Sequence, residues 1–312
     1  MDGRLLAGVN ICSMRVISVF SFCLFLSLAN AQPYLKAKEK VAGKRYSYYF
    51  MKPNQVGKGL VLLMPSRGET AKKVFWHSAI PRHLAERGFI TIVPDVDYAL
   101  TLEDVTRKII DHLIDAESAK NGLVNAPLFV GGFSSGGAIA ACYAEYKLSE
   151  DANSLAGVFL IDPPMNLERF YNAWVPLISS GCPDVIIEEG AFIKKYIERL
   201  TGGNPTKARS HYLKYSAFMA TDSLGGNAVF LRTVPIRLYT EPDLDAMRSK
   251  YCNDLTYQNL NASDLDSLYE RLIKLGNTHV EYIKTSGRGL HSWNIVEPEN
   301  LAVWVEKVIE RR

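Results

Sequence analysis

The chain has 312 residues, 47% hydrophobic and 22% charged, with 22 glycines and 14 prolines. That composition excludes a disordered, collagen-like or fibrous protein. Lys and Arg number 36 against 33 Asp and Glu, a net charge of +3, too small and too dispersed for an electrostatic nucleic-acid binder.

The first element in chain order is an address. From Met14 the sequence carries one Arg, an apolar run from Val16 to Leu28, and Ala29-Asn30-Ala31 before Gln32. This pattern predicts a cleavable signal peptide over residues 1–31, starting at Met1 or Met14 and cut after Ala31. The apolar run falls short of the roughly 20 residues of a membrane span. The expected destination is therefore secreted or periplasmic, with no stable membrane span after cleavage. Of the five cysteines, too few for a disulfide scaffold, Cys142, Cys182 and Cys252 lie beyond the signal. Cys182 and Cys252, both in loop-like sequence, are the preferred pair, and Cys142, in a small-residue helical run, reads as a free thiol.

Beyond the signal, short apolar β-type runs alternate with helical patterns, the mark of a mostly parallel sheet covered by helices. Strands are expected at Tyr46 to Met51, Leu60 to Met64, Ile90 to Val93, Leu128 to Gly131, Gly157 to Ile161, Ile236 to Tyr239 and Val280 to Ile283. Helices are expected at Lys72 to Glu86, Leu102 to Ser118, Gly136 to Lys147, Leu265 to Leu275 and Glu299 to Glu310, with Thr101 and Asp104 resembling a capping box for the second. The alternation lapses over about 163–233, which predicts a helical insertion. Its aromatics, among them Phe170, Trp174, Tyr196 and Tyr212, make either a core of the insertion or a substrate-facing lid.

Immediately after the run Leu128 to Gly131 comes Gly132-Phe133-Ser134-Ser135-Gly136, and after it a helical pattern. G-x-S-x-G on a strand-to-helix turn exposes the serine hydroxyl, and the flanking glycines leave it room. The positive end of the following helix faces a developing oxyanion, so the Ser135 N–H is the first candidate donor. A general base belongs after the last strand, where His291 lies; the other histidines fall in helical patterns or at a strand start. The orienting acid belongs to another strand end. Asp243 in the loop after Tyr239 is the first choice, Glu241 the near alternative, and Asp162, after Ile161, a third. A second oxyanion donor is expected from Ser66, Arg67 or Gly68 after Met64, with Arg67 preferred; the Arg67 side chain could also meet an acidic substrate group.

The order Ser134, Asp243, His291, on this pattern of strands, resembles the α/β-hydrolase superfamily. The resemblance implies an α/β fold with a mostly parallel sheet of about eight strands flanked by helices and a helical cap after the sixth strand. It also makes Leu35 to Val41 a candidate for the missing first strand. Pro65 and Ser66 stand where many members carry His-Gly, a departure at the second oxyanion donor. The activity implied is that of a serine hydrolase working through an acyl-enzyme on a small-molecule or acylated substrate, a carboxylic ester first. A peptidase or amidase on the same triad, or a catalytically silent binding protein of this fold, stands as the alternative. No dinucleotide fingerprint, P-loop or H-E-x-x-H occurs, and no zinc-ligand spacing, so no cofactor or metal is expected.

Overall fold

A computed structural model describes residues 33–96 and 99–311. The predicted signal peptide lies outside the described residues. The first third runs β1 (Leu35–Val41), β2 (Lys44–Met51), β3 (Gly59–Met64), α1 (Ala71–His77), α2 (Ile80–Glu86), β4 (Phe89–Pro94) and α3 (Asp104–Lys120). Then follow β5 (Leu128–Phe133), α4 (Ser135–Glu150), β6 (Gly157–Ile161), α5 (Leu167–Trp174), α6 (Asp184–Thr201) and α7 (Arg209–Tyr215). The remainder is β7 (Ile236–Thr240), α8 (Leu244–Lys250), α9 (Ala262–Lys274), β8 (Val280–Lys284) and α10 (Pro298–Glu310).

The eight strands form one sheet in the order β1-β2-β4-β3-β5-β6-β7-β8. The pairs β1–β2 and β2–β4 are antiparallel and all others parallel. Strands β3, β5 and β6 hold only apolar residues and glycine because both faces are covered, and their alternate residues enter two different cores. Leu60, Leu62 and Met64 join the core under α3, α4 and α9, whereas Val61 and Leu63 join the one under α1, α2 and α10. Among the described residues no helix is long and apolar enough to cross a membrane.

Leu35–Val41 is the expected first strand, paired in full with β2. The helix expected over Lys72 to Glu86 is two helices: the first ends at Ser78, and Pro81 opens the second, where its missing N–H costs nothing. The capping box read at Thr101 and Asp104 is not formed; α3 starts two residues later, at Asp104, with Glu103 as its N-cap. The segment after β6 is helical and without strands, and its aromatics divide between the two expected uses. Tyr171, Tyr196, Tyr212 and Phe218 are buried in the core, while Trp174 and one side of Phe170 face the cavity beside Ser134. Cys182 and Cys252 form a disulfide, and Cys142 is free.

Candidate active site

Strand β5 delivers Ser134 at a turn that only this run of small residues permits. Ser134 has φ 54°, left-handed backbone that a non-glycine residue adopts at a cost of about 1–3 kcal/mol. A Cβ on Gly132 would come within 2.5 Å of the Gly136 carbonyl oxygen, and one on Gly136 within 2.2 Å of the Pro65 carbonyl oxygen. The glycines therefore let the start of α4 close against β5 and the loop after β3. The Ser134 N–H donates to the Ile161 carbonyl at 2.8 Å, which ties the turn to the end of β6. Ser135 is the first residue of α4, so its N–H has no intrahelical acceptor.

The structure brings His291 to Ser134. Its Nε2 lies 2.8 Å from Ser134 Oγ and its Nδ1 lies 2.6 Å from Asp162 Oδ2. Asp162 is 7% exposed, and its other oxygen accepts from Thr240 Oγ1 at 2.6 Å. Asp162 directly follows β6, next to β5, and pairing of Phe133 with Ile161 sets Ser134 and Asp162 side by side at the strand ends. Asp162 also adopts positive φ, 47°, and its N–H continues the ladder to Tyr239.

Asp243, the acid preferred from sequence, is not brought to His291. Its carboxylate caps α8, accepting from the Ala246 N–H at 2.9 Å. The loop after β7 turns into a helix within three residues, and a short acidic side chain at that junction is taken by the free amides of the first turn. Glu241 is not the partner either. It accepts from the N–H groups of Arg288 (2.8 Å), Leu290 (2.9 Å) and Gly289 (3.2 Å) and from Thr285 Oγ1 (3.1 Å). It thus clamps the loop that carries His291, in which Leu290 has φ 62°. Burial alone would raise the Glu241 carboxyl, but the bonds from Leu290, Arg288, Thr285 and Gly289 outweigh it and hold the pKa below its ordinary value.

The loop after β3 is tied in two directions. The Ser66 N–H donates to Glu69 Oε2 at 3.2 Å, so it is already engaged. Glu69 also accepts from Trp293 Nε1 and contacts His77 Nδ1 at 2.6 Å, joining this loop to the segment after His291. The Arg67 side chain is paired with Glu189 of α6, at 2.5 and 2.7 Å, and lies 3.9 Å over the Phe192 ring. That pairing engages the guanidinium that sequence reading offered to an acidic substrate group. Arg67 lines the cavity that also holds Ser134, Ser135 and His291.

Glu69 and Thr240 escaped the sequence reading because each meets a partner distant in the chain, Trp293 and Asp162, and no local motif marks them. Asn261, in a glycosylation sequon, spends its side-chain amide on the Asp162 carbonyl at 2.9 Å. Among the described residues two groups bring three metal-ligating atoms together, Cys182 with Cys252 and Asp254, and His83 with Glu86 and Glu299. The thiols of the first are joined to each other, and the second is engaged with Arg87; neither includes a residue that touches Ser134.

No protein-family model matches the chain, and no curated protein matches its sequence. Solved structures do match. A carboxyl esterase from the fungus Tuber melanosporum superposes with a TM-score of 0.60 at 14% identity, covering 91% of this chain and 89% of its own. MPT51 of Mycobacterium tuberculosis gives 0.58 at 14% identity (90% and 99%), and an esterase of Pyrobaculum calidifontis 0.57 at 15% (89% and 86%). Likeness at such identities speaks for architecture, and it agrees with the strand order and with the turn that carries Ser134: the chain has the fold of the α/β-hydrolase superfamily.

Proposed function

We propose that this chain is a serine hydrolase that cleaves a carboxylic ester through Ser134, His291 and Asp162. The observation that carries the reading is the unbroken line from Ser134 Oγ through the His291 imidazole to Asp162. Asp162 accepts a hydrogen bond from the His291 Nδ1–H, which holds the tautomer whose Nε2 lone pair faces the hydroxyl. Attack of Oγ on the ester carbonyl passes the hydroxyl proton to Nε2, and the imidazolium is stabilised by Asp162 at 2.6 Å. The tetrahedral oxyanion meets the Ser135 N–H and, from the loop after β3, the Arg67 N–H, since that of Ser66 is engaged with Glu69. The imidazolium then protonates the departing alcohol. Water, deprotonated by the same Nε2, releases the acid and regenerates Ser134.

The esterases among the structurally similar proteins support ester chemistry. The Cys182–Cys252 disulfide agrees with an oxidising compartment and so with the expected signal peptide. Hydrolysis of p-nitrophenyl esters and fluorophosphonate labelling, by the chain starting at Gln32 and by its Ser134→Ala variant, test the reading. The expected result is turnover and labelling that both vanish in the variant. Neither activity nor labelling in the unmutated chain would instead favour a silent binding protein, and labelling with cleavage of amides alone a peptidase or amidase.

A further inference from the structure

Two cavities of unlike polarity open beside Ser134, and His291 and Arg67 line both. The first, of about 230 Å³, lies beneath the helical insertion, walled by Phe170, Trp174, Ile186, Met247, Tyr251 and Leu255. Most of these belong to one apolar cluster, pinned by the Cys182–Cys252 disulfide between the insertion and the segment after β7. The second, of about 470 Å³, lies on the other side of His291 and is more open. Ser66, Lys73, Ser292 and Asn294 line it, with the Glu69–His77 pair at its side. Polar groups make up nearly half of its wall, beside Phe133 and Trp293, whereas the first is mainly apolar, with Thr240, Asn259 and Asn261 among its lining residues.

Resting on the ester-hydrolase reading, we infer that the substrate is an ester of a compact apolar acid with a larger, polar, hydroxyl-bearing alcohol. The assignment of halves follows from which catalytic atoms line which cavity. The acyl group becomes bonded to Ser134 and its oxyanion faces the Ser135 N–H; both residues line the apolar cavity and neither lines the polar one. The leaving alcohol takes its proton from His291 Nε2, and His291 borders the polar cleft. At roughly 30 Å³ per non-hydrogen atom, the share of one liquid water, the apolar cavity accepts about eight such atoms. That is a medium acyl chain or a single ring, and a long fatty chain does not fit. Desolvating hydroxyls in the mainly apolar cavity costs free energy that few groups there return, whereas the open cleft leaves them hydrated or bonded to Ser66, Ser292 and Asn294.

Two substrate series separate the halves. The first holds the alcohol as p-nitrophenol and lengthens the acid from acetate to hexadecanoate. The second holds the acid as butanoate and compares glycerol and glucose esters with octyl and dodecyl esters. The expected kcat/KM rises to an optimum between butanoate and octanoate and falls at least about tenfold by dodecanoate, since excluded methylenes are each discriminated by about tenfold or more. In the second series the polyol esters lead the alkyl esters. Trp174→Ala, which empties about nine non-hydrogen atoms from the wall, moves the acyl optimum to longer chains, and Met247→Trp moves it to shorter ones. An optimum at long chains, a preference for alkyl alcohols, or an acyl profile that neither substitution moves overturns the inference. Fluorophosphonate labelling keeps the two readings apart. A chain that labels at Ser134 and cleaves esters with the opposite preferences loses only this inference; one that neither labels nor cleaves loses both.

Discussion

Replacing the two competing acids one at a time is the sharpest test of the site. In Asp162→Asn the shape is kept and Thr240 retains an acceptor, but an amide N–H₂ now faces His291 Nδ1, where a carboxylate oxygen stood at 2.6 Å. The imidazole must then carry its proton on Nε2, which can no longer accept the Ser134 proton. The corresponding change in the serine-protease template costs about 10⁴ in kcat, or about 5 kcal/mol of transition-state stabilisation at 1.36 kcal/mol per decade. Asp243→Ala removes only the cap bond to the Ala246 N–H. That costs about 1 kcal/mol of stability, a melting shift of about 2–4 °C, and leaves kcat within about threefold, the change expected of a group outside the reacting set. Steady-state hydrolysis of p-nitrophenyl butanoate, with Ser134→Ala as the floor and thermal melts as the folding control, measures both. Equal losses in the two variants, or more than about a tenth of the activity left in a folded Asp162→Asn, would refute the assignment.

Three further outcomes follow from other parts of the molecule. Glu241→Gln deprives the His291 loop of one of its acceptors for Arg288, Gly289 and Leu290 and should lower kcat about 10²-fold through misplacement of the imidazole, with KM little changed. Because the Glu241 pKa is held below its ordinary 4.5, its contribution to stability is complete above that value and is lost as pH falls below it through the lowered folded-state pKa; melts of wild type and Glu241→Gln should converge on acidification, and a constant gap down to low pH contradicts the clamp. The Cys182–Cys252 bond closes a span of 70 residues, for which chain entropy gives about 4 kcal/mol; the Cys182→Ser, Cys252→Ser double variant should melt well below wild type and show a broader acyl-length profile, and an unchanged melt in non-reducing buffer speaks against it. Gly136→Ala drives a Cβ to within 2.2 Å of the Pro65 carbonyl oxygen, backbone that cannot swing aside, so it should abolish Ser134 labelling and lower the yield of folded protein measured by circular dichroism.

Much of this protein is readable in one dimension because the determining interactions are local. An apolar run buried on both faces of a parallel sheet has no polar alternation to hide it, so β3, β5 and β6 announce themselves, and Gly132-Phe133-Ser134-Ser135-Gly136 between a strand and a helix is a local steric statement about one turn. His291 is legible for a related reason: it follows the last strand, and strand ends of a parallel sheet gather at one edge.

The choice of acid is another matter. Asp162, Glu241 and Asp243 all follow strands that end at that edge, and their order in the chain does not distinguish them. Tertiary structure decides, because each carboxylate takes the donors nearest to it: Asp243 the first turn of α8, Glu241 three amides of the His291 loop, and Asp162 the imidazole itself. The same holds for Arg67, whose partner Glu189 lies on α6, and for Glu69, which joins two loops more than 200 positions apart. Sequence by itself determined the sheet, the turn that carries Ser134 and the position of His291 after the last strand, since these depend on periodicity and on the sterics of neighbouring residues. Which acid faces the base, how the loops are braced, and the two unlike cavities beside Ser134 arise from side chains that meet only after the sheet, the insertion and the loops have packed, and a hydrogen bond is set by distance and direction in space, not by spacing along the chain.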